Sequence, residues 1–331
     1  MNDQQTMVAP HESVEARLNR IFFPFATEQA QKIKARNGRF VHYTSAESAM
    51  KILSSKQFWL RSAKSMNDFM EVEHGFDYLL NFFQMEDNKN RKLFYDVIDD
   101  LFPGAAEQAI KLFDQWLPTV RYSTYLACFS EHDDDEDVFG RLSMWRAYGR
   151  SSVGVAIVLN NAPFFLDAEG PNIFASPVSY LSEEKFHASL HTIINSMSLE
   201  KEFLKTIPRE KIVGIIFSML LFASVCSKHP GFREEREWRV IAVPKIFPSK
   251  VLESGVETIS GVPQPVYKVP LRDNPQEGLV GVEIPVFLDR IIIGPSSYPL
   301  PVFDAFVATL EVAGVAEANS KVVISDIPLR T

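Results

Sequence analysis

Between Ile212 and Cys226 the chain runs through about fifteen residues that are nearly all apolar. The run is shorter than the roughly 20 residues a helix needs to cross a bilayer. It therefore reads as a helix buried in a protein core. With 331 residues, 46% of them apolar and 12% aromatic, the chain can supply a core of that size, as one large domain or two modest ones.

Charge and cysteine usage narrow the function classes. The 42 acidic residues outnumber the 34 basic ones, giving a formal charge of -8. No global positive field draws in nucleic acid or an anionic membrane, and neither is an expected partner, although a local basic groove remains open. Cys128 and Cys226 each sit in an apolar stretch without a CxxC partner, so the expectation is two buried free thiols and neither a disulfide framework nor a zinc site. The polar start lacks the basic-then-apolar order of a signal peptide, which makes cytoplasmic the expected compartment.

Along the chain, helical and strand patterns come in blocks. After a helical lead interrupted at Pro24, Arg39 to Tyr43 reads as a strand. Thr44-x-x-Glu47 reads as a capping box, opening a helix with Ala46, Ala49, Met50 and Leu53 on one face. Phe58 to Arg61 is a strand, and Asn67 or Asp68 caps a helix running towards Phe83. Lys89 to Trp116 stays helical apart from Pro103-Gly104. Strands follow at Ser123 to Phe129 and Val153 to Leu159, on either side of an acidic loop and a short helix at Ser143 to Tyr148. A second helical block spans about Ser182 to Ser227. Strands then read at Glu235 to Val243, Val266 to Leu271, Leu279 to Glu283, Arg290 to Ile293 and Lys321 to Ser325, with a helix at about Pro301 to Val312. Helices grouped as insertions between runs of strands favour an α+β layout over a doubly wound sheet. The expected organisation is an N-terminal helical extension over 1–38 and one α+β domain over 39–331, with helical insertions at about 84–118 and 182–228.

Four constellations could carry chemistry. His42-Tyr43-Thr44 lies where a strand gives way to a helix, a place that can anchor a polar ligand; alternatively Thr44 caps the helix and His42 hydrogen-bonds inside the core. In the run from Arg233 to Ile241 the strand period of two puts Glu235, Glu237 and Arg239 on one face. If Trp238 packs inward, those charges need partners or a ligand; if Glu237 and Arg239 pair at an edge, structure alone explains them. Ser130 and Glu131 close a strand. Trp145 and Tyr148, three apart on a helix, can offer flat faces to a ring or pack in the core.

Other patterns are weak. Asp133 to Asp137 lacks the Gly and distal Glu of a calcium loop and reads as a solvated loop. His187 and His191 have metal-ligand spacing without a third ligand and read as an exposed helix face, so no metal is expected. No nucleophile elbow, Walker loop or internal repeat occurs.

Taken in order, these segments resemble the bacterial family of unknown function catalogued as number 2971. The matching segments are His42-Tyr43-Thr44-Ser45, Trp59-Leu60-Arg61-Ser62, Asn67-Asp68-Phe69-Met70-Glu71, Cys128 to Glu131, Trp145 to Tyr148, Gly154 to Ala156, Glu235 to Arg239, Ile293-Gly294-Pro295 and Ser325 to Pro328. The chain departs from the pattern at Phe69, where proline is usual, and at Arg61-Ser62, which shifts the serine by one.

The same order is similar to the ADP-ribosyltransferase fold, which implies two small facing β-sheets with NAD lying across them. By that resemblance Glu237, Glu235 and His42 would be catalytic. His42, Tyr43, Thr44, Arg61, Ser62, Asn67, Ser130, Trp145, Tyr148 and Arg239 would bind NAD. The chemistry suits such residues: breaking the nicotinamide-ribose bond builds positive charge that a carboxylate stabilises, pyrophosphate prefers arginine, and nicotinamide stacks on an aromatic face. The expected function is an NAD-consuming ADP-ribosyltransferase-like enzyme with an unknown acceptor. The alternative is a non-catalytic nucleotide- or partner-binding module, and a weaker third is a metal-dependent nuclease using Glu131 and Asp133 to Asp137.

Overall fold

The computed structural model describes residues 12–65, 70–84, 88–148, 153–166, 170–259 and 261–328. In chain order the elements are α1 (Val14–Phe22), α2 (Pro24–Ala35), β1 (Arg39–Ser45), α3 (Ala46–Ser55), β2 (Gln57–Ser62), α4 (Met70–Gln84), α5 (Lys89–Asp99), α6 (Ala105–Ser123), β3 (Tyr125–His132) and α7 (Leu142–Tyr148). Then come β4 (Gly154–Leu159), β5 (Phe174–Pro177), α8 (Glu183–Leu199), α9 (Lys201–Leu204), α10 (Arg209–Val225), β6 (Glu237–Ala242), β7 (Glu253–Ile259), β8 (Val262–Pro270), α11 (Ile284–Phe287), β9 (Leu288–Ile293), α12 (Pro299–Val312) and β10 (Val322–Ile324).

The mixed α+β expectation holds, but the strands join one ten-stranded sheet rather than two separate small ones. The joining element is β3. It pairs antiparallel with β1 near its C-terminal end, with β2 near its N-terminal end and with β6 along its other edge. The path runs β10-β9-β4-β1-β3-β2-β8-β7, with β6 and β5 branching from β3.

Pairing register fixes which side chains share a face. Phe40, Phe129 and Trp238 lie on one face, in a core with Ile33 of α2, Ala49, Ile52 and Leu53 of α3, and Phe306 and Leu310 of α12. On the other face, Val41 and Tyr43 pack under Met144 and Trp145 of α7, while Leu126 and Ile241 meet the helical block of α4, α5, α6, α8 and α10. The sheet is thus a wall between two cores.

Several elements differ from the sequence pattern for local reasons. Ser45, not Thr44, caps α3: its hydroxyl accepts from the Ser48 amide at 3.2 Å, while Thr44 pairs with Val155. α6 continues through Pro118 to Ser123, so β3 starts at Tyr125. Leu279 to Glu283 is not a strand. Gly278 and Gly281 both have positive φ on either side of Leu279, which forms only an isolated bridge with Asn274. β5 is only four residues long and β7 is a largely exposed edge strand, so neither carries a strong apolar strand signal.

The run from Ile212 is α10, apolar all round because it is enclosed by α4, α6 and the sheet. At Gly75 α4 touches it so closely that a Cβ would lie 2.1 Å from the Ser224 carbonyl oxygen. Among the described residues, no helix is long and apolar enough to cross a membrane.

Candidate functional site

His42 sits at the fork where β1 leaves β3 and β2 takes its place. β1 pairs with β3 up to Val41↔Ser130, and β2 takes over at Arg61↔Leu126. Between them the His42 imidazole faces the Cys128 carbonyl. His42 Nδ1 is 2.8 Å from the Cys128 carbonyl oxygen, so the ring donates from Nδ1. Phe58 and Phe129 pack on it with centroids at 5.0 and 5.4 Å. Burial lowers its pKa and keeps it neutral. These contacts give His42 the core role that its sequence context also allowed.

Glu237 is on the other side of the sheet. Val41↔Ser130 and Ser130↔Glu237 share a face, and His42, the neighbour of Val41, points the opposite way. The two residues assigned to one reaction centre are therefore separated by the sheet.

The Glu237 carboxylate, 5% exposed, belongs to a closed ionic cluster. Its Oε1 accepts from Arg239 Nε at 2.8 Å, and Lys228 Nζ lies 3.4 Å from Oε2. Burial opposes its charge, but the Arg239 guanidinium and the Lys228 ammonium outweigh that and hold its pKa at about 2. Arg239 also donates to the Val225 carbonyl, and the Tyr180 hydroxyl accepts from the Glu237 amide at 2.8 Å. Glu235 precedes the strand, because Arg236 adopts a left-handed conformation (φ 45°) between the two glutamates. Its carboxylate nevertheless reaches Lys228 Nζ at 2.6 Å, with its pKa raised, chiefly by burial. The structure thus gathers Glu235, Glu237 and Arg239 as the charge pattern implied. It adds Lys228 and Tyr180, which sequence reasoning missed because neither belongs to the charged run. Two cations and two carboxylates make a cluster that neutralises itself.

The remaining NAD-binding candidates are separately engaged. The Tyr43 hydroxyl accepts from the Arg141 amide at 2.9 Å, and burial pushes its pKa up to about 12. Trp145, 1% exposed, donates from Nε1 to the Phe139 carbonyl at 2.7 Å and meets the Tyr43 ring edge-on at 4.9 Å, so it has no open face for stacking. Arg61 donates to Gln264 Oε1 at 3.2 Å and the Ser65 carbonyl at 2.7 Å. Ser62 and Ser130 are buried. Asn67 lies outside the described residues, and of Tyr148 only its place at the end of α7 is described. Of the described candidates, Tyr43, Trp145, Arg61 and Arg239 each hold hydrogen-bond partners of their own.

The acidic segment after β3 is also not a solvated loop. Glu131, Asp133 and Glu136 meet Arg36, Arg141 and Arg236, while Asp134, Asp137 and Asp289 meet Arg39 and Arg290. Buried His132 hydrogen-bonds Asp137 at 2.9 Å. His187 and His191 pack on the Phe82 ring rather than facing solvent freely. Among the described residues no group of His, Cys, Asp and Glu side chains is placed to hold a metal ion.

A space of ligand size exists on the His42 side of the sheet. A cavity of about 620 Å³ lies between α2 and the sheet, lined by eight phenylalanines including Phe58 and Phe129, the two that pack on His42. It stays open because small residues face each other across it: Ala26 and Ala30 on α2, Ala127 and Ala175 on β3 and β5. Protein interiors leave few voids larger than a water molecule. This volume lies in the range of small-molecule sites, roughly 300–1,000 Å³.

Among curated proteins and solved structures nothing matches the chain. A family model described as Protein of unknown function (DUF2971) matches residues 144–240, from α7 through most of β6. That match supports the resemblance to this family over the stretch carrying Trp145, Tyr180, Lys228, Glu235, Glu237 and Arg239.

Proposed function

We propose that the chain is a binding module that takes a small, largely apolar molecule in the phenylalanine-lined cavity without turning it over. The observation that carries this reading is the cavity itself: about 620 Å³ with apolar walls, beside a sheet whose buried charges already neutralise one another. A neutral, environment-sensitive dye such as Nile red tests it. Saturable emission at one site in the wild type, lost in Ala30→Trp, supports the reading; no enhancement in a folded wild type refutes it.

The competing reading, an NAD-consuming ADP-ribosyltransferase, draws on the order of the motifs and on the ionised Glu237. It requires the His42 and Glu237 sides of the sheet to serve one substrate, and fold-level likeness does not supply that. Nicotinamide release from labelled NAD, abolished by Glu237→Ala in a protein that remains folded, would favour it over the binding module.

A further inference from the structure

The cavity walls carry an asymmetry of charge that points to the class of ligand. Among the described residues that line it there is no Asp or Glu, and the one charged side chain is Lys34 on α2. Its Nζ sits 4.7 Å from the centroid of the Phe165 ring, which also lines the cavity. Lys34 makes no ion pair with any described residue, whereas Arg36, two positions on, is held by both Glu131 and Asp133. Lys34 and Asn19 are exposed, which places the mouth of the cavity at the two N-terminal helices. The walls inside that mouth are aromatic and aliphatic, and of the polar side chains there, Thr27 and Ser218 make no hydrogen bond with a described residue.

We infer that the cavity takes an amphiphile with an apolar body and a single anionic head, such as a medium-chain carboxylate, with the head paired to Lys34 at the mouth. An aliphatic chain removes the phenylalanine faces from water, a non-directional gain that scales with the area covered. The ammonium at the rim favours an anion there and disfavours a cationic head through charge complementarity. The hydroxyls of Thr27 and Ser218 tolerate a bend or one polar substituent along the chain. This inference rests on the binding-module reading and narrows it.

Displacement of Nile red separates the two claims. In the wild type, dodecanoate should displace the dye at about fivefold lower concentration than dodecanol, the size of one exposed ion pair, and dodecylamine should be the weakest of the three. Lys34→Ala should bring dodecanoate and dodecanol to the same displacing concentration. Ala30→Trp should weaken all of them by filling the space from the α2 side. If dodecanoate and dodecanol compete equally in the wild type, or Lys34→Ala leaves their difference unchanged, the head-group assignment falls and the cavity reading stands. If Nile red does not bind the folded wild type, both fall.

Discussion

Glu237 and His42 show how a residue's chemistry depends on the contacts it already has. Glu237 balances Arg239 and Lys228 in a buried cluster, so Glu237→Gln leaves two buried cations with one carboxylate fewer. A loss of about 3–5 kcal/mol is expected, read as a shifted urea midpoint with unchanged slope. His42 closes the gap at the fork, and His42→Phe removes its hydrogen bond to the Cys128 carbonyl. That substitution should cost about 1–3 kcal/mol.

Both sites also give pH signatures. His42 and His132 have lowered pKa values because burial disfavours their charged forms. Their contribution is complete above the ordinary histidine value of about 6.5 and is lost as pH falls towards their folded values. Glu237, held at about 2, adds a second loss of stability as pH falls from about 4.3 towards 2. Thermal melts between pH 7 and 3 should therefore show the wild type weakening below neutrality, with a shallower first slope in His42→Phe. An equal slope in that variant would remove His42 from the account.

Among elements, the closest contact gives the sharpest contrast. Gly75 brings α4 onto α10 at a distance where a methyl group meets the Ser224 carbonyl, whereas a Cβ at Gly214 on α10 meets nothing within 4 Å. Gly75→Ala should destabilise by about 1–3 kcal/mol or more through forced separation of the helices. Gly214→Ala should be neutral or gain up to about 1 kcal/mol from helix propensity. Chemical denaturation of both variants checks the pair, and equal effects would mean that α4 does not seat on α10 as described.

Local patterns in the sequence were enough to place β1, α3, β2, β4, β9, α10 and α12 to within a few residues, by alternation in β2, an apolar face in α3 and unbroken apolar runs in β4 and α10. The fork was not legible, since which strand lies beside β3 depends on residues more than sixty positions apart. The charged run from Arg233 correctly announced that Glu237 and Arg239 share a face. It could not announce Lys228, whose role comes from the turn that folds it back over β6. The acidic run looked solvated because its five arginine partners come from four separate places in the chain.

At the scale of the whole molecule the sheet acts as a partition. One face carries the helical block and the self-neutralised ionic cluster; the other carries His42, Phe58 and Phe129, and the cavity under α2 extends from there to Ile215, Ser218 and Phe222 of α10. Ala26, Ala30, Ala127 and Ala175 leave that space open only because α2, β3 and β5 converge, and single-sequence periodicity has no means of showing such a meeting. His42 and Glu237 thus lie in two separate environments, and a cavity of about 620 Å³ opens beside His42.

The most direct measurement is X-ray diffraction from crystals soaked with ω-bromododecanoate. The account predicts an anomalous bromine peak inside the cavity among Phe58, Phe129 and Val240, with the carboxylate at Lys34. A cavity without bromine, or a ligand seated instead against Glu237 on the opposite face of the sheet, would contradict it.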